Sequence, residues 1–113
     1  LVYRFDAPPF FVNAEYLRQR VLALVDASEE IRWFVLNAEA WTYLDATAID
    51  VLIRLHDELD QRGIALCFAR LKGRQREIFE QTGLTARIGS DRFFPTVRAA
   101  VAAFESAHAG DAR

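Results

Sequence analysis

Two polar segments of this 113-residue chain gather side chains able to hold charge. The first, Tyr43-Leu44-Asp45-Ala46-Thr47-Ala48, follows the apolar run Ile31-Arg32-Trp33-Phe34-Val35-Leu36 and opens a long amphipathic stretch. The first backbone N–H groups of a helix have no internal partner, so a carboxylate or hydroxyl there can cap the helix, and the same spot can bind an anion or accept a phosphate. Asp45 and Thr47 both qualify as the N-cap, and Thr47-Ala48-Ile49-Asp50 has the spacing of a capping box with Asp in place of Glu. The second segment, Arg70-Leu71-Lys72-Gly73-Arg74-Gln75-Arg76, carries four cations at a helix start. These oppose the helix dipole, and Asp45 or Glu39 could offset them. A capped helix beside solvated arginines accounts for both patterns without a ligand. A phosphate, nucleotide or protein docking face is the sharper alternative.

Catalysis lacks its residues. There is no G-x-x-x-x-G-K-[ST], no G-x-G-x-x-G and no G-x-S-x-G. The histidines are His56, mid-helix, and His108, in a tail expected to fray, too few with one thiol for a zinc site. A phospho-receiver would need an acidic pair after the first strand and a late lysine, and neither is present. Cys67 is the only cysteine, which excludes an internal disulfide and suits a reducing compartment; within Ala65-Leu66-Cys67-Phe68-Ala69 it reads as a core thiol. Charged residues are 27% with a net charge of −2, so no strong field draws nucleic acid or a membrane surface. No run approaches the ~18 apolar residues of a bilayer span. The expectation is a non-enzyme with no required cofactor, no nucleic-acid partner and no membrane insertion by this segment. Leu1 opens a strand without an initiator Met, which fits a domain within a longer protein.

The elements that must position these loops follow from periodicity. Leu1–Phe5 alternates as a strand, which Pro8-Pro9 breaks. Phe10-Phe11-Val12 reads as a short strand or an apolar plug, and Phe10-Phe11, after two prolines, is the aromatic pair that could serve as an interface. Asn13 caps a helix with Leu17, Val21, Leu24 and Val25 inward. Residues 31–38 form the best central strand. A second helix, 47–62, buries Ala48, Val51, Leu52, Leu55 and Leu59, shows Arg54 and Glu58 one turn apart as a pair, and stops at Gly63. Strand 64–69 completes a right-handed βαβ unit. Helix 73–82 ends at Gly83-Leu84, Phe93-Phe94 makes a short edge strand, and a last helix after Pro95-Thr96 carries Val97, Ala100, Val101 and Phe104 inward. The result is a single α/β domain over residues 1–108 with a frayed tail at 109–113. In such a sheet the loops 37–47 and 70–76 leave from the carboxyl edge, where ligands gather.

In this order the segments resemble the STAS domain, shared by anti-sigma-factor antagonists and the cytoplasmic tails of SulP anion transporters. Pro9-Phe10-Phe11-Val12-Asn13-Ala14 is similar to the transporter tails' "P-L-F-F-A-N-A", and Leu44-Asp45-Ala46-Thr47-Ala48 to their "I-D-x-T/S-A/G" loop. Gly63 to Ala69, Thr82-Gly83-Leu84, and Ile88-Gly89 followed by Phe93-Phe94-Pro95-Thr96-Val97 complete the likeness over nearly the whole chain. The resemblance implies a STAS-like α/β fold with a four- to five-stranded, mostly parallel sheet and four helices. It also implies a regulatory module of a sulfate or related anion transporter, in the cytoplasm at an inner membrane. Its partners would be that transporter's transmembrane domain and a further regulatory protein. The expected contact loop holds Asn37, Asp45, Ala46 and Thr47, with a basic rim of Arg70, Lys72, Arg74 and Arg76; nucleotide binding is open there. In the antagonist branch the residue after the loop aspartate is a phosphorylated serine. Here it is Ala46, so Thr47 is the remaining candidate acceptor, and a stand-alone antagonist-like protein is the alternative.

Overall fold

The computed structural model describes residues 1–5, 12–28 and 30–108. Among them four strands and five α-helices follow in the order β1 (Val2–Arg4), α1 (Ala14–Asp26), β2 (Trp33–Asn37), α2 (Ala46–Gln61), β3 (Ala65–Ala69), α3 (Gly73–Gln81), α4 (Leu84–Ile88), β4 (Phe93–Phe94) and α5 (Val97–Ala107), with a 3-10 turn at Ser90–Arg92 before β4. The strands form one parallel sheet in the order β1-β2-β3-β4, with Val35 opposite both Val2 and Cys67.

Chain order equals strand order, so each crossover steps the same way across the sheet. Right-handed crossovers then put α1 to α4 on one face and leave the other to α5. Strand alternation sorts the side chains accordingly. Phe34, Leu36, Leu66, Phe68 and Phe93 join Leu17, Val21, Leu52, Leu55, Leu59, Phe79 and Leu84 in the main core. Val35, Cys67 and Ala69 meet Ala100 in a thinner second layer, edged by Trp33 and Phe94. Their two rings stack with centroids 6.0 Å apart.

Helix ends follow local chemistry. Gly63 sits at φ +74°, its N–H bonds the Asp60 carbonyl and the Ile64 N–H bonds the Leu59 carbonyl, a Schellman closure of α2. Gly83, at φ +81°, ends α3 and at once starts α4. That one-turn helix was not expected, because five residues are too few to show an apolar period.

Other expectations change in three dimensions. Asn13 is the N-cap residue of α1 but makes no capping side-chain bond. Glu58 is held by both oxygens, at 2.6 and 2.7 Å, by Arg18 of α1 rather than by Arg54, which faces Glu15. The neighbouring helix offers a bidentate partner that the same helix cannot. Val101 is 38% exposed, since α5 packs over β2 to β4 and leaves an open groove between its Val101–Phe104 side and Leu1 and Val2. His108 is not frayed: its ring stacks on Phe104 at 4.4 Å and meets Trp33 edge-on. Val12 is exposed in a turn; the expectations for Asp6 to Phe11 and for 109–113 fall outside the described residues.

Candidate functional site at the carboxyl edge of the sheet

Asp45 settles the competition for the cap. Its backbone is extended, and its carboxylate accepts the Ala48 N–H at 2.8 Å. Thr47 therefore lies inside the first turn of α2, exposed, and does not cap; the capping-box reading fails because the helix begins two residues earlier. Asn37, at the end of β2, turns the loop by accepting the Glu39 N–H at 3.1 Å. Trp41, within the same loop, is fully buried and packs edge-on against Phe68 at 5.8 Å. The loop is thus anchored from below by an indole and at its end by a cap, while Thr42, Tyr43, Ala46 and Thr47 are exposed.

The two loops do meet, but through Glu39 rather than Asp45. One Glu39 oxygen takes Arg4 at 3.0 Å and the other takes Arg70 at 2.9 Å. This clamp joins the end of β1 to the loop after β3, across β2. Arg70 has a left-handed backbone at φ +61°, uncommon for a residue with a side chain. Its N–H bonds the Phe94 carbonyl at 3.0 Å, tying the loop to β4.

Beside this clamp lies a cavity of about 680 Å³ lined by Glu39, Arg70, Leu71, Lys72, Arg76, Phe93, Phe94, Pro95 and Thr96. Arg76 places its guanidinium 4.7 Å over the Phe93 ring. Of the expected basic rim, Arg70, Lys72 and Arg76 line the cavity. Arg74, Ala46 and Thr47 are exposed and outside that lining, and the half-buried Asn37 and Asp45 lie outside it too. The cavity sits between the loops after β3 and β4, and the contribution of Phe93 to Thr96 was not foreseen. The Pro95-Thr96 helix start was the available signal, because β4 ends on the same edge of the sheet.

Among the described residues no cluster of three metal-ligating side chains exists, and no helix is long and apolar enough to cross a membrane. Cys67 is fully buried, and burial pushes its thiol up to about 11.

A family model described as "STAS domain" matches residues 1–100. The chain is 46% identical over 105 residues to the "Probable sulfate transporter Rv1739c" of Mycobacterium tuberculosis, covering 92% of this chain and 19% of that protein. The solution structure of the STAS domain of that Mycobacterium tuberculosis protein superposes with TM-score 0.56 at 39% identity, covering 93% of this chain and 86% of the other. The STAS domain of a SulP transporter from Vibrio cholerae has the same fold, with TM-score 0.77 at 24% identity, covering 96% of this chain and 83% of that one. Given a match over 100 consecutive residues and a four-stranded parallel sheet with helices in the expected order, this chain belongs to the STAS domain family.

Proposed function

We propose that this chain is the regulatory domain of a SulP-type sulfate or related anion transporter, on the cytoplasmic side of an inner membrane, acting by protein contact rather than by catalysis. The observation that supports it best is 46% identity across 92% of the chain to a probable sulfate transporter of which it spans only 19%. In this reading the transport path belongs to the remainder of such a protein. The contact face is made by the exposed Thr42, Tyr43, Ala46 and Thr47, pre-set by the buried Trp41 and the Asp45 cap, so that little ordering entropy is lost on docking. Its partners are the transporter's own transmembrane domain and a second regulatory protein. A nucleotide is a further ligand this reading admits at the basic loop.

Sulfate uptake by the full transporter carrying Tyr43→Ala with Thr47→Glu tests the contact face. Uptake several-fold lower at equal membrane abundance, with unchanged melting of the isolated domain, is expected. Unchanged uptake would remove the loop from the coupling path. Titrating the domain with GTP and ATP by calorimetry tests the nucleotide: absence of heat at millimolar ligand removes it.

A further inference from the structure

We propose that the cavity between the loops after β3 and β4 binds a doubly charged tetrahedral oxyanion, and that Glu39 is its built-in competitor. The inference stands on the cavity alone and does not depend on the transporter reading.

Three cations, Arg70, Lys72 and Arg76, line the space against one carboxylate, Glu39. Glu39 is fully engaged, one oxygen to Arg4 and the other to Arg70. Lys72 and Arg76 make no ion pair among the described residues, so the cavity keeps an excess positive charge. Arg76 is held over Phe93, which orients its guanidinium without neutralising it. One further donor lines the same space. The Thr96 oxygen accepts the Ala99 N–H at 3.0 Å, so its hydroxyl proton remains to donate.

The lining also decides the class of ligand. Phe93 stacks on Phe68 at 5.5 Å and carries Arg76, while Phe94 stacks on Trp33. The aromatic rings are committed to internal packing, and recognition is left to charge and hydrogen bonds. Arg70 already donates to one oxyanion, the Glu39 carboxylate, at 2.9 Å. A dianion with oxygens in several directions can engage Arg70, Lys72 and Arg76 together, which a planar monoanion fixed to the chain cannot. Its arrival would draw Arg70 from Glu39 and loosen the clamp between β1 and the β3 loop.

Calorimetric titration of the domain with sodium sulfate, at ionic strength held constant with chloride, tests this. Saturable millimolar binding is expected, tightened about tenfold by Glu39→Gln and weakened about tenfold or more by Arg76→Gln. Arg76→Lys, which keeps the charge, guards against misfolding and should retain part of the affinity. Arg62→Gln, whose partner Asp26 lies away from the cavity lining, should leave it unchanged. Repeating the titration with ATP separates a free oxyanion from a phosphate ester: ATP that displaces sulfate, with the same response to Glu39→Gln, makes an ester the source. No saturable heat in either the native domain or Glu39→Gln, up to tens of millimolar sulfate, would overturn the proposal. So would binding indifferent to both Glu39→Gln and Arg76→Gln.

Discussion

At position 45 the carboxylate that receives the Ala48 N–H both starts α2 and fixes the exposed loop before it. Asp45→Ala is expected to cost about 1 kcal/mol in urea unfolding, the usual worth of an N-cap, and Asp45→Asn only a fraction of that. Thr47→Ala, at an exposed position inside the first turn, should change stability by less than about 0.5 kcal/mol. Equal losses for the two threonine and aspartate variants would mean that the cap is shared. These values matter for the functional reading. A coupling defect in Thr47 variants is not a stability defect, whereas one in Asp45→Ala has to be corrected for the lost cap. Ala46, next to the cap, has no hydroxyl, so a phospho-switch of the antagonist kind has no acceptor at the position the family likeness assigns to it.

Between elements, the α1–α2 contact is fastened by Arg18, which donates to Glu58 of α2 and to Glu15 of its own helix. The Arg18 hydrogen bonds hold the Glu58 carboxyl below the usual glutamate range, with burial opposing the shift. A depressed acid stabilises the fold above its unfolded value, about 4.3 for glutamate, and that contribution is lost as pH falls through the folded value. Both side chains are partly exposed, which limits the pair to about 0.5–1 kcal/mol. The native domain should therefore melt above Glu58→Gln at pH 7, and the gap should close on acidification below about pH 4. A gap that is the same at pH 3 and pH 7 would show that the two helices are joined by packing alone. Gln for Glu is the apt replacement because it keeps the shape of the contact while removing the charge.

For the whole molecule, the unequal covering of the sheet is the governing feature. Four helices bury one face, and among the described residues α5 is the helix that packs on Val35, Cys67 and Ala69 on the other. Stopping the chain after Thr96 should leave secondary structure on the first face and uncover Cys67. Native-state alkylation of Cys67 at pH 8 is expected to be negligible in the full chain, because the thiol is buried and pushed up to about 11, and rapid in the truncated one. Equal protection in both would show that α5 is not what shields this face.

Much of this architecture was legible in the residues. The apolar runs at 31–38 and 64–69, the stripe through Ala48, Val51, Leu52, Leu55 and Leu59, and the stops at Gly63 and Gly83 are local signals. The structure follows them because periodicity and turn chemistry act over a few residues. The meeting of the 37–47 and 70–76 loops also followed, once two neighbouring parallel strands were assigned. Only the tertiary structure decided which acid met which cation. Glu39 and not Asp45 joins Arg70, Arg18 and not Arg54 takes Glu58, and Phe93 to Thr96 rather than Thr47 complete the basic cavity. An ion pair or a cavity depends on distances between segments far apart in the chain. Those are set by strand register and helix docking, which no local pattern encodes.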